Sequence, residues 1–456
     1  MTIKLKPLAE QVIVITGASS GIGLATARMA AKRGARLVLA ARSEGALSQL
    51  VDEIKAKGGQ AVHVVADVSI VDDVEAIAKS AQDHFGGFDT WINDAGIGLY
   101  GRLEEIALED MRKVFETNFW GLIHGSLEAV KLLKTRGGAL INLGSEVSER
   151  AVPLQGIYSA SKHAIKGFTD ALRMELEDEG APISVTLVKP GQIDTPFTIN
   201  AKNYLASEPH HVPPVYAPDV VAEAILTCAE RPTRDILVGS GAKAMTELGH
   251  FAPGLTDTVM NKVVIPGTPS GRPSRRGSDG SGLDEPTEDL RERGNYEGHL
   301  QQTSLYTRAA LHPVLTGAAV LGAGLAIGAL MRALPHRPGR FEGTPGPHHR
   351  KALHIRLDAK PGREADVERL LVDILACVQA EPTTAPWFGV RLSKRVYGIF
   401  ETFADEAGRD IHLGGKGAAL LMERSNAILA APATIELLDV LQSKSGTPMG
   451  LTREAA

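Results

Sequence analysis

Val12-Ile13-Val14-Ile15 runs without a polar residue into Thr16-Gly17-Ala18-Ser19-Ser20-Gly21-Ile22-Gly23, and a helical pattern follows from Leu24 to Arg33. Four apolar residues in a row, with no alternation, mark a strand covered on both faces. Such a strand belongs inside a parallel sheet with helices on either side. The glycine turn adds a second constraint. Glycine lets the backbone approach a ligand closely, and unpaired N–H groups at a helix N-terminus attract anions. Together these pieces make a cradle for a pyrophosphate, formed by Gly17, Ser19, Ser20, Gly21, Ile22 and Gly23.

The alternation of strands and helices continues. Arg36–Ala41 reads as a strand, then Ala61–Ala66, then Thr90–Ile92, with a helical stretch around Val71–His84 between the last two. Strands Ala139–Leu143 and Ile183–Val188 follow, so a doubly wound parallel sheet of Rossmann type is expected. Its crevice lies at the C-terminal ends of the strands. The candidates there are the 16–23 turn, Arg42, Asp67, Asn93, Ser145 and Thr195. Ala41 stands where an acidic residue would hold the ribose diol of NAD, and Arg42 comes next. A small residue backed by a guanidinium suits the 2′-phosphate of NADP.

Tyr158 and Lys162 are four residues apart on an expected helix and so share one face. A free phenol titrates near pH ~10, and a neighbouring ammonium favours the phenolate. The pair is therefore a candidate acid–base unit, although many helices carry such a pair on a solvated face.

Five signatures fall in the order and spacing of one family: Thr16-Gly17-x-x-x-Gly21-x-Gly23, Asp67-Val68, Asn93-Asp94-Ala95-Gly96, the set Asn118/Ser145/Tyr158/Lys162, and Pro190-Gly191. Over residues ~9–250 the chain resembles a classical short-chain dehydrogenase/reductase. The resemblance implies that Tyr158 is the general acid–base and that Lys162 lowers its pKa and holds the nicotinamide ribose. It implies too that Ser145 bonds the substrate oxygen and Asn118 anchors a relay water. Asp67 and Val68 would hold the adenine, and Ile193 and Thr195 the carboxamide; Asn93, Pro190 and Gly191 complete the expected cofactor set. Asp94 departs from the family's usual second asparagine, a position that mainly supports the central strand.

At 456 residues the chain suggests two to three domains, and a net charge of −5 gives no field to attract nucleic acid. Cys228 and Cys377 form no disulfide or metal framework, and no metal site is expected. Residues 196–217 contain Phe197, Tyr204, His210 and His211, and by the resemblance cover the substrate; the two histidines read as a solvated loop pair. The expected organisation is a catalytic domain over 1–265, a flexible linker over 266–308, an apolar helix over 309–333, a second linker over 334–349, a small domain over 350–445 and a tail. Residues 309–331 contain no Asp, Glu, Lys or Arg, and Gly324 and Gly328 have the spacing for close helix packing. A membrane helix is the first reading. The arginines that follow it would place the catalytic domain away from its cofactor, a conflict that a non-spanning association removes.

Residues ~350–445 read as β-α-β-β-α-β, the ferredoxin-like order, with Ala404–Ser425 as one helix. On Lys360-Pro361-Gly362-Arg363-Glu364, Phe400-Glu401-Thr402-Phe403 and Asp405-Glu406-Ala407-Gly408 this part resembles the antibiotic-biosynthesis-monooxygenase family, whose pairing habit implies a homo-oligomer. Trp387 and His412 read as a core aromatic and a helix-face histidine. The expected activity is hydride transfer between NADP(H) and a small carbonyl or alcohol substrate, by a cytoplasmic catalytic domain with a membrane anchor as an option. The alternatives are a bifunctional reductase and cofactor-free quinol oxygenase, and a nucleotide-sensing scaffold without turnover.

Overall fold

The apolar run at the start of the chain becomes β1 (Val12–Thr16), and every residue of it is buried. Side chains alternate across a strand, so Ile13 and Ile15 join the core on one face of the sheet and Val12 and Val14 the core on the other. The computed structural model describes residues 3–274, 281–288, 290–311, 351–379 and 384–440. The chain divides into two units, Met1–Leu330 and Met331–Ala456.

In the first unit, β1 leads through the glycine turn into α1 (Gly21–Lys32), followed by β2 (Arg36–Ala41), α2 (Glu44–Ala56), β3 (Gln60–Val65), α3 (Val71–Phe85) and β4 (Thr90–Asn93). Then come α4 (Leu108–Phe115), α5 (Gly121–Arg136), β5 (Gly138–Leu143), α6 (Gly156–Asp178), β6 (Ile183–Pro190), α7 (Pro218–Glu230) and β7 (Asp235–Val238). The sheet order is β7-β6-β5-β4-β1-β2-β3, with every pairing parallel. This is the doubly wound sheet expected. Its order reverses beside β1, which opens a crevice at the strand ends.

The flexible linker expected over 266–308 is corrected for its described residues, 266–274, 281–288 and 290–308. Residues Pro269–Pro273 pair antiparallel with Ser207–Pro209, and Leu300–Gln301 run parallel to Val215–Tyr216. A helix over Leu305–Leu311 follows, and Leu283 and Leu311 are buried in the core of this unit. The composition misled because this stretch is held mostly by backbone carbonyls and ion pairs, which its Gly, Pro and charged residues do not disclose. Of the apolar segment 309–331, residues 309–311 end that helix, and 312–331 lie outside the described residues. Among the described residues no helix is long and apolar enough to cross a membrane.

The second unit contains β8 (Lys351–Asp358), α8 (Glu364–Val378), β9 (Thr384–Arg391), β10 (Val396–Phe403), α9 (Glu406–Leu413), α10 (Lys416–Ile428) and β11 (Thr434–Asp439). Its antiparallel sheet has the order β9-β10-β8-β11. The single helix expected over Ala404–Ser425 is two, parted at Gly414-Gly415, where glycine weakens helix continuity. His412 packs inward from α9, its Nε2 2.9 Å from Oε1 of the buried Glu401.

Candidate active site

The cleft at the C-terminal ends of β1, β2, β4, β5 and β6 begins at the glycine turn. Gly17 has φ +73°, and a side chain there would lie 2.8 Å from the Ala95 backbone. A Cβ on Gly23 would meet the Gly17 carbonyl oxygen at 2.3 Å. Both positions therefore need glycine, for conformation at the first and for close approach at the second. Thr16 ties the turn to the next loop: its Oγ1 accepts from the Asp94 and Ala95 amides at 3.2 and 3.3 Å.

Gly17, Ser19, Ser20, Gly21 and Ile22 line one cavity with Arg42, Asp67, Val68, Ser145, Tyr158, Lys162, Pro190, Gly191, Ile193 and Thr195. Nearly all of the expected site residues are thus brought together. Gly23 stands behind the turn. Asn93 does not reach the cleft: it is 3% exposed, and its amide donates to Asn142 Oδ1 at 2.9 Å and Ser126 Oγ at 3.1 Å. Strand support therefore falls to Asn93. Asp94, expected in that role, turns instead toward the Gly23 amide and the Lys162 ammonium.

Asn118 sits in a single π turn, Glu116–Trp120, between α4 and α5. Such turns offset the helix register and recur at functional sites. The side chain brackets Ile97, accepting from its N–H at 2.7 Å and donating to its carbonyl at 3.0 Å. It also donates to Ser161 Oγ at 3.2 Å, and that hydroxyl donates to the Tyr158 carbonyl at 2.8 Å. One turn of α6 carries Tyr158 and Lys162 to the same side, with Nζ 5.7 Å from the centre of the phenol ring. Lys162 Nζ donates to the Leu143 carbonyl at 2.8 Å.

The electrostatics differ from the sequence expectation. Burial raises the Tyr158 phenol above its ordinary value; a hydrogen bond with Ser145 opposes this, and Glu146 and Asp94 add to it. Burial pushes Lys162 down to about 8, with Asp94 opposing. Burial pushes Asp94 up to about 7, with Lys162 and the Gly23 amide opposing. The ammonium is thus bonded to the Leu143 carbonyl and feels the Asp94 charge, and the phenol stays protonated at neutral pH.

Three cleft features escaped the sequence reading. A strap from the expected linker crosses the mouth, and its Gly282, Pro286 and Thr287 line the cavity. Arg42 donates to the Gly282 carbonyl, and the Gly21 amide donates to the Arg291 carbonyl at 3.0 Å. Asp284 anchors the strap to Lys113 at 3.1 Å and Lys202 at 3.0 Å. Second, Glu146 lines the cavity directly after Ser145. Third, His211 is buried rather than solvated, with Nδ1 3.1 Å from Gln192 Oε1; His210 Nδ1 lies 3.2 Å from the Thr268 carbonyl.

Residues 11–205 match the short chain dehydrogenase family model. Over 323 residues, 70% of this chain and 90% of the relative, it is 47% identical to an oxidoreductase of Bacillus subtilis (strain 168) termed uncharacterized oxidoreductase YxnA. The chain belongs to the short-chain dehydrogenase family. Other members of that family resemble it over shorter stretches. An 11-beta-hydroxysteroid dehydrogenase A of Sesamum indicum is 39% identical over 209 residues, 45% of this chain and 59% of that one. The ketoacyl reductase HetN of a Nostoc species is 30% identical over 260 residues, 55% and 88% of the two chains. A crystal structure of a short chain dehydrogenase/reductase from Burkholderia phymatum in complex with NAD shares 28% identity and a TM-score of 0.49, covering 56% of this chain and 96% of that one. The chain is accordingly an oxidoreductase of this family. The family model ends at residue 205; residues ~350–445 hold an antiparallel sheet domain, and these comparisons give no support to the monooxygenase resemblance expected there.

Proposed function

We propose that the chain is an NADP(H)-dependent carbonyl reductase, reversible as an alcohol dehydrogenase, with Tyr158 as its general acid–base. The observation that carries this reading is the placement of Ser145, Tyr158 and Lys162 on one cleft whose floor is the glycine turn. The donor set fits a dinucleotide: glycines allow backbone approach at one end, and the Arg42 guanidinium stands at the end of β2 for a 2′-phosphate. When bound, the cofactor supplies the hydride.

The protein's own part is to orient, polarise and protonate. Ser145 and Tyr158 are hydrogen-bonded neighbours, so both hydroxyls can meet one substrate oxygen. The protonated phenol suits donation to the developing alkoxide, which is the reducing direction. Lys162 takes up cofactor ribose from its anchored position, and Asn118 holds the loop that carries Ile97. The intact set of four residues favours turnover over a nucleotide-sensing scaffold. A panel of ketones and secondary alcohols, followed by NADPH or NADP absorbance, tests the reading. Turnover with NADPH preferred over NADH supports it, and absence of turnover across the panel rejects it.

A further inference from the structure

Beside Ser145 the cleft holds a carboxyl group that the chemistry above leaves unused. Glu146 is 5% exposed and lines the cavity with Ser145 and Tyr158. Its Oε1 accepts from Gln192 Nε2 at 2.7 Å. With its NH₂ so committed, Gln192 presents Oε1 to His211 Nδ1 at 3.1 Å, so that nitrogen carries the His211 proton. Burial holds His211 down to about 4, and the ring is neutral. Its Nε2 is sealed and has no partner among the described residues. With Glu146 ionised, the chain His211–Gln192–Glu146 has one direction, the Gln192 amide accepting from the ring and donating to the carboxylate.

Three separate segments supply this chain: the turn after β5, the loop after β6, and the loop that carries His211. A carboxyl group buried among them is costly, and no ion pair is made with it among the described residues. Burial pushes Glu146 up to about 7, opposed by the Gln192 bond. Its second oxygen, Oε2, accepts no hydrogen bond among the described residues, and it is not one of the sealed, unpartnered atoms of the fold. Oε2 lies beside Gly191, which lines the same cavity as Glu146. The Glu146 charge opposes ionisation of the Tyr158 phenol, and both residues line the one cavity with Ser145.

We propose that Glu146 is a substrate-binding residue whose Oε2 accepts a hydrogen bond from a hydroxyl group next to the reacting carbon, with Gln192 and His211 as its positioning residues. The substrate class is then hydroxyketones and the corresponding diols. This rests on the reductase reading of the same cleft. Oε1 already has its donor, and the ionised form, which prevails above about pH 7, can only accept, so the complementary substrate group is a donor. A ligand without that group leaves a desolvated carboxyl group unpaired, the situation in which a polar site discriminates most strongly.

The experiment compares cyclohexanone with 2-hydroxycyclohexanone as substrates for NADPH oxidation. In parallel, calorimetry measures the binding of cyclohexanol and trans-1,2-cyclohexanediol to the enzyme–NADP complex. The hydroxylated member of each pair is expected to be favoured roughly tenfold or more, in kcat/KM and in Kd. Glu146→Ala brings both ratios toward one, and Glu146→Gln, which keeps an acceptor oxygen, retains part of the preference. Wild-type enzyme that treats the two members alike overturns the proposal, and this arm needs no variant to fold. A Glu146→Ala protein that melts like wild type and keeps the full ratio overturns it as well. A binding preference for the diol without turnover of either ketone upholds the site and rejects the reductase reading.

Discussion

Asp94 is the acid that holds up the buried Lys162 ammonium: burial lowers Lys162 to about 8, and the Asp94 carboxylate is the charge that opposes it. The position read from sequence as strand support is thus part of the site's electrostatics. Replacing the acid by its neutral isostere removes the one opposing charge. In Asp94→Asn the alkaline limb of kcat/KM, set by loss of the Lys162 proton, should move to lower pH by about one unit. A profile from pH 6 to 10 with an unmoved limb would show that Asp94 does not govern Lys162.

Glu146 makes stability depend on pH in a defined direction. Its folded pKa is raised, from 4.5 to about 7. Between those values the folded protein holds a proton that the unfolded chain has released, so stability falls as pH rises through this window. Glu146→Gln removes that fall. Its melting temperature relative to wild type should climb from pH 4.5 to 7, by up to about 3 kcal/mol in stability terms. A constant difference across the window would count against a buried, titrating carboxyl group.

The strap over the cleft is anchored through Asp284, whose carboxyl group is held down to about 2, with burial opposed by bonds from Lys202, Ser281 and Lys113. Asp284→Ala loosens that anchor without touching the glycine turn. NADPH association and dissociation, read by stopped-flow fluorescence, should both quicken severalfold. Unchanged rates would mean that the strap does not control entry.

Arg42 sits at the end of β2 with its guanidinium on the cavity. Arg42→Ala should raise the KM for NADPH roughly tenfold or more, since charge-assisted bonds to phosphate are worth about 1.5–3 kcal/mol each. The KM for NADH serves as the control, because Arg42 also bonds the strap. An equal rise for both cofactors would assign Arg42 to the strap rather than to a 2′-phosphate.

The parallel sheet was legible because β1 begins as a continuous apolar run and the glycine turn sits between that strand and a helix. The gathering of Ser145, Tyr158 and Lys162 was legible from helical spacing and family order. Which of Asn93 and Asp94 faces the cleft was not, because adjacent residues at a strand end diverge and spacing alone does not say which turns inward. The strap was hidden for another reason: its hold on Gly21 and Arg42 runs through the carbonyls of Arg291 and Gly282, which every residue type carries. Glu146 was passed over because a charged residue after a strand ordinarily reads as solvated.

The most direct measurement of the central claim is a single-turnover comparison of wild type and Tyr158→Phe, with enzyme-bound NADPH and a reducible ketone. The phenol supplies the proton, so the variant should bind NADPH with wild-type Kd and lose turnover by a factor of roughly 10²–10⁴. Tyr158→Phe that oxidises NADPH at close to the wild-type rate would contradict the account.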